Sequence, residues 1–240
     1  MTEDLDIETY LYISSDRFVI FLFDKKKILN VFKKELNFEK KMKGLDFQIL
    51  SEFLDDNILK IEKLVGKFIK NIYLVIENSQ IDTVKFSIKK KNYDKIISKK
   101  YLENTLTEAK DLFKENYQEV RILHILLNNY FVNNNNYSNF SNFSNFSKNL
   151  HGDNLSLEIQ FTFISKNFAS LVEKTLEKFQ IRVLKYLDGY YIKNYFKSEE
   201  IELPEMISKI KDGCNQNEIQ LIQRNKTKSG FFEQFFQLFS

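Results

Sequence analysis

With 240 residues and 43% apolar side chains, the chain has material for one domain or two small ones around a sizeable core. Its 36 Lys and Arg against 33 Asp and Glu leave a formal charge of +3, which excludes a polycation that coats nucleic acid. A single cysteine, Cys214, excludes a disulfide framework and a thiolate metal site.

The longest strongly apolar run, 18–23, is about a third of the roughly 20 residues that a membrane-spanning helix needs. Glu3, Asp4 and Asp6 are the reverse of a signal peptide's basic entry and predict a cytoplasmic chain. Residues 17–23 and 28–32 read as a hairpin about the turn at 24–27. Apolar residues from Leu50 to Ile69 recur at helical spacing and predict an amphipathic helix over 46–70. A buried strand at 72–76, an alternating strand at 84–89 and a helix over 101–117 follow. Strands at 120–132 and 155–164 flank a polyasparagine tract, 133–136, and three Asn-Phe-Ser triplets, 139–147, which read as an expanded loop. Ser165 suits the N-cap of a helix over 167–179. A strand at 181–184 and a short helix at 190–196 come next. Residues 199–229 are polar and read as a linker, with at most a helical turn near Met206 to Ile210.

The pattern is mixed α and β, and it offers little chemistry. His124 sits in a strand with no His, Cys or carboxylate at ligand spacing, so it reads as a half-buried strand histidine, and His151 reads as solvated. Asp55 and Asp56, and Glu199 and Glu200, are adjacent in sequence and diverge on a helix, so they read as solvated faces. No GxGxxG or GxxxxGK loop occurs. The runs Lys25-Lys26-Lys27 and Lys89-Lys90-Lys91 have no accompanying pattern of stacking aromatics, which argues against a nucleic-acid partner. Catalytic, cofactor and metal sites are therefore expected to be absent.

The C-terminal segment differs. Phe231, Phe232, Phe235, Phe236, Leu238 and Phe239 fall within about 160° of a helical wheel, opposite Glu233, Gln234, Gln237 and Ser240. Arg224, Lys226 and Lys228 lie just upstream, where anionic head groups would sit. The expectation is a membrane-surface helix over 230–240; docking onto the core and insertion into a protein groove are the alternatives.

The order of elements resembles the N-terminal half of the actin-like cell-division protein FtsA. The likeness rests on Glu108-Ala109-Lys110, on Arg121 to Ile125 followed by Asn129-Tyr130, and on Leu157 to Ser165 with Val172-Glu173-Lys174 and Phe179-Gln180-Ile181. The resemblance implies a truncated actin-like (ribonuclease H-like) half-domain over 8–80 and 181–198. An SHS2-type (1C) subdomain would be inserted at 81–180, with a flexible linker at 199–229 and a membrane-targeting helix at 230–240. It further implies a non-enzymatic adapter on the inner face of the cell membrane that contacts anionic lipid and division proteins, FtsZ or downstream divisome components, and that self-associates. Where the family carries an acid and a glycine in its first phosphate loop, this chain has Tyr12-Ile13-Ser14-Ser15-Asp16-Arg17, which argues against nucleotide chemistry. The alternatives are an SHS2-type ligand-binding protein and a divergent actin-like adapter of pilus or secretion assembly.

Overall fold

The structure, a computed structural model, describes residues 7–24, 27–36, 45–137 and 151–219. The described parts of Met1–Asp82 and Ile164–Asp212 form one compact unit, and those of Thr83–Phe163 and Gly213–Ser240 a second. Each has its own sheet.

In the first unit, β1 (Ile7–Ser14), β2 (Arg17–Asp24) and β3 (Lys27–Glu35) form an antiparallel meander. Two parallel strands, β4 (Asn71–Glu77) and β9 (Arg182–Asp188), extend it to the order β3-β2-β1-β4-β9. Side chains alternate across a strand, and here both faces are covered. Phe18 of β2 meets Phe53 of the helix α1 (Phe47–Val65), with ring centroids 5.9 Å apart. Tyr10, Tyr12, Val75 and Leu187 face the other way, into a core with Ile192, Phe196, Ile207 and Ile210. Those residues come from α4 (Gly189–Tyr195), α5 (Leu203–Lys211) and the residue that caps α4.

Helix α1 starts where Asp46 accepts from the backbone N–H groups of Gln48 and Ile49, at 2.9 and 3.1 Å. It stops at Gly66, in the left-handed region at φ 73°, whose N–H bonds the Glu62 carbonyl. The apolar spacing continues to Ile69, so the expected end at 70 lies four residues beyond the cap, on the far side of that glycine.

The second unit is a sheet of order β5-β8-β6-β7 with α2 (Lys99–Asn116) packed on it. Its strands are β5 (Asp82–Ile96), β6 (Val120–Val132), β7 (Asn135–Tyr137) and β8 (His151–Ser165). Phe113 of α2 is fully buried, stacked on Phe161 with centroids 4.4 Å apart. Leu74, Ile76, Ile125, Phe161 and Phe163, expected inside from the strand pattern, are buried. The polyasparagine tract is partly ordered structure: Asn133 and Asn134, at φ 48° and 72°, turn the chain between β6 and β7, a conformation that asparagine tolerates. The triplet repeat and the terminal 230–240 helix lie outside the described residues.

Two sequence boundaries need correction. The return from the insertion falls near 164, not 181, because α3 (Lys166–Glu177) packs within the first unit. Its Phe168 ring lies 6.1 Å from Phe47, and Tyr186 of β9 donates to the Ala169 carbonyl at 3.4 Å and to Glu173 at 2.9 Å. Nor are residues 199–219 a linker. Ile207 and Ile210 of α5 are fully buried, and Pro204 sits at the start of that helix, where its missing N–H costs nothing. Residues 217–219 pair with β6: the Leu127 N–H donates to the Asn217 carbonyl at 3.0 Å, and the Ile219 N–H to the Ile125 carbonyl at 2.8 Å. Apolar residues spaced by three in a polar segment are enough to dock it, although its average composition resembles a tether.

Candidate functional site

The three parallel strands end together. Register pairs Ser14 with Glu77 across β1 and β4, and Ile76 with Asp188 across β4 and β9. In open α/β sheets the carboxyl ends of the strands are where ligands bind, so this edge is the first place to look for chemistry.

It is occupied by a network of the chain's own groups. The Tyr12 hydroxyl donates to Glu77 Oε2 at 2.8 Å, and Lys193 Nζ, from α4, donates to Glu77 Oε1 at 2.9 Å and to the Tyr12 oxygen at 3.0 Å. The ammonium also lies 5.2 Å from the centroid of the Tyr12 ring. Burial opposes the charge on Lys193, but the bonds to Glu77 and Tyr12 outweigh it and hold the amine above the ordinary lysine range. Burial pushes the Tyr12 phenol up, opposed by the bond from Lys193 and reinforced by Glu77.

The approach of α4 is equally specific. Asp188 accepts from the N–H groups of Tyr190 and Tyr191 at 2.8 and 3.2 Å and caps the helix. Gly189 is required by space: a Cβ there would stand 2.9 Å from Glu77 Cβ and 3.2 Å from the Ile76 carbonyl oxygen. The β1–β2 turn is also tied to itself. Ser14 Oγ donates to Asp16 and accepts from the Arg17 N–H at 3.1 Å, and Arg17 Nε lies 3.3 Å from Asp16. The bond from Ser14 is the main reason that the Asp16 carboxyl is held below its usual range, with Arg17 adding to it.

Toward the opposite end of the same face a second cation repeats the theme. Lys211 pairs with Glu8 at 2.8 Å and Asp212 at 2.6 Å, and lies 5.3 Å from the centroid of the Tyr73 ring. The Tyr10 hydroxyl donates to Glu8, and burial together with that carboxylate pushes the phenol far up.

What this edge can do chemically follows from its charges. Each carboxylate at this edge is engaged within the chain: Glu77 by Tyr12 and Lys193, Asp16 by Ser14 and Arg17, and Asp188 by the first N–H groups of α4. The lysine is already bonded to Glu77. No three His, Cys, Asp or Glu side chains gather as a metal site among the described residues.

Of the residues singled out from the sequence, the structure brings few together. His124 is fully buried rather than half-buried: its Nδ1 lies 2.7 Å from Glu218 Oε1, a partner 94 residues on that spacing does not reveal. His151 is exposed, with Nδ1 3.2 Å from the Asp94 carbonyl oxygen. Asp55, Asp56, Glu199 and Glu200 are exposed. Arg224, Lys226, Lys228, Phe231, Phe232, Phe235, Phe236, Leu238 and Phe239, the expected membrane contacts, lie outside the described residues. Tyr12 was flagged through the phosphate-loop resemblance; Glu77, Asp188, Gly189 and Lys193 were not.

An antiparallel meander continued by two parallel strands, with helices on both faces and an insertion after β4, is the architecture that the resemblance implies. The strand order and directions of the first unit are those expected of an actin-like half-domain. Neither a protein-family model nor a curated protein matches the sequence. Solved structures do. Part of the PilM–PilN type IV pilus biogenesis complex is 11% identical, with a TM-score of 0.47, 78% of this chain and 49% of that one being covered. The cytoplasmic domain of EpsL, an inner membrane component of the type II secretion system of Vibrio cholerae, is 9% identical with a TM-score of 0.35, over 78% and 57%. A Bacteroides thetaiotaomicron protein with an actin-like ATPase fold and unknown function is 11% identical with a TM-score of 0.35, over 83% and 59%. This chain thus spans about half to three fifths of the length of those proteins. Among the described residues, no helix is long and apolar enough to cross a membrane.

Proposed function

We propose that this protein is a non-enzymatic, actin-like adapter that works at a membrane surface by contacts with other proteins. The observation that carries the reading is the network at the strand ends. Tyr12, Glu77 and Lys193 satisfy one another where a nucleotide's phosphates would need open donors and a cation to spare. A scaffold with that edge closed keeps the architecture and drops the chemistry.

The assembly it serves is of the pilus or secretion type, with an FtsA-like role in cell division, contacting FtsZ or downstream divisome components, as the second reading. The PilM–PilN complex and EpsL, among the solved structures above, bear names of the first kind, but at 9–11% identity that likeness is one of fold. Membrane attachment rests on the sequence of the terminal segment, whose five phenylalanines between 231 and 239 sort to one side of a helix. A fluorescent fusion to the full chain, imaged in its own cells, tests both parts. The reading expects envelope fluorescence away from the division plane. Midcell bands select the division role, and a diffuse cytoplasmic signal contradicts the membrane adapter.

A further inference from the structure

The second unit carries a concentration of charge that the network at the strand ends does not use. Residues 89–100 hold six lysines against one aspartate, a net +5, whereas the whole chain is +3, so the rest of the chain is net negative. Lys90 is paired with Glu108; Lys89, Lys91, Lys95 and Lys100 are exposed. Between them, in the last residues of β5, Tyr93 and Asp94 are both left-handed at φ 52°, which makes a local turn within the strand. That is a rare conformation for a bulky side chain. Yet the Tyr93 ring is 74% exposed and Ile96 is 53% exposed, so no packing of those side chains explains the conformation.

The turn is held from beneath. Asn92 is buried and donates to the carbonyls of Lys95 and Gly152, the latter at 3.0 Å, and His151 Nδ1 lies 3.2 Å from the Asp94 oxygen. The backbone is thereby fixed in a form that projects an aromatic and an aliphatic side chain from a cationic rim.

We propose that this turn is a contact for an anionic lipid bilayer. A tyrosine sits comfortably at head-group level. Each exposed lysine near an anionic leaflet multiplies partitioning by roughly fivefold. Nucleic acid would call for a groove or a row of exposed stacking aromatics; here Tyr93 is exposed, whereas Tyr101 is half-buried with its hydroxyl bonded to the Lys91 carbonyl.

The inference rests on the membrane-surface reading above but uses none of its terminal residues.

The test is flotation of the full chain with phosphatidylserine-containing and with pure phosphatidylcholine vesicles, at low and at high salt. The variants are Phe232→Glu with Phe236→Glu in the terminal segment, Lys89→Glu with Lys91→Glu and Lys95→Glu in the turn, and Tyr93→Asn. Asparagine accepts a left-handed backbone, so Tyr93→Asn removes the ring without endangering the fold. The terminal variant is expected to keep a salt-sensitive preference for anionic vesicles. Adding the lysine substitutions should lower its binding at least about tenfold, and adding Tyr93→Asn should also lower it, with no loss of melting temperature.

If the terminal variant no longer floats while the wild type does, the turn is no bilayer contact and the terminal-helix reading stands. If the terminal variant floats like the wild type and only the turn substitutions release the protein, the turn stands and the terminal-helix reading falls. If the turn variants float like their parents, or if a single-stranded DNA oligonucleotide binds these lysines and vesicles do not, the proposal is overturned. Wild type that binds neither vesicle overturns both.

Discussion

Raising the pH should destabilise the first unit steeply, because the folded state holds protons that the unfolded chain releases. Tyr10 and Tyr12 are buried and their phenols are pushed up. Burial opposes the charge on Lys211, yet the bonds to Asp212 and Glu8 win and hold its amine above the ordinary range. In each case the folded pKa exceeds the unfolded one, so the stabilisation is complete below about pH 9–10, where both states are protonated, and declines as pH rises past the unfolded values near 10. Each proton retained only in the folded state contributes about 1.4 kcal/mol per pH unit to the slope. Tyr10, Tyr12 and Lys211 together give a limiting slope of about 4 kcal/mol per pH unit; Lys193, whose side chain is 42% exposed, adds less because water screens it. The assay is urea unfolding followed by far-UV circular dichroism at steps from about pH 8 to 11. Free energy should be nearly flat to about pH 9 and then fall, and Tyr10→Phe with Tyr12→Phe should reduce the slope by up to about 2.7 kcal/mol per pH unit. Equal slopes in the wild type and the double variant would refute the reasoning, since the two phenols would then titrate as they do in the unfolded chain.

Three further substitutions probe the packing. Gly189→Ala should cost about 1–3 kcal/mol in a thermal or urea melt, because the Ile76 carbonyl 3.2 Å from the new Cβ belongs to a central strand and cannot yield. His124→Ala should cost about 3–5 kcal/mol, seen in the melting of the second unit, by removing the imidazole that faces a Glu218 side chain only 2% exposed. Phe113→Ala should cost a similar 3–5 kcal/mol, since that ring is fully buried and stacks on both Phe161 and Tyr117; unfolding free energies from denaturant titration check it.

The sequence made the insert's helix α2 and the strands β5 and β8 legible because each has a more exposed side and therefore a period. β1 has none. Thr9, Tyr10, Leu11, Tyr12, Ile13 and Ser14 are all buried, on a central strand covered on both faces, so alternation disappears. Helix α3 was visible by its spacing and its Ser165 cap, but an amphipathic face does not say which sheet it covers; Phe47 and Tyr186 decide that. The strand-end network was illegible for a related reason. Glu77 follows the apolar run 72–76 by one residue and Lys193 lies on a two-turn helix. Only the parallel register of β1, β4 and β9 brings them to Tyr12. Glu218 was hidden by the polar average of the segment around it.

The central claim is that the strand ends of the first unit are closed by the chain's own side chains and hold no nucleotide. Calorimetric titration of the full chain with Mg-ATP tests it most directly. The account predicts no saturable heat into the millimolar range, because Tyr12, Glu77 and Lys193 are already bonded to one another. Micromolar affinity, lost on Lys193→Ala, would contradict it: the lysine would then have exchanged its carboxylate for a phosphate, and the edge would be a nucleotide site after all.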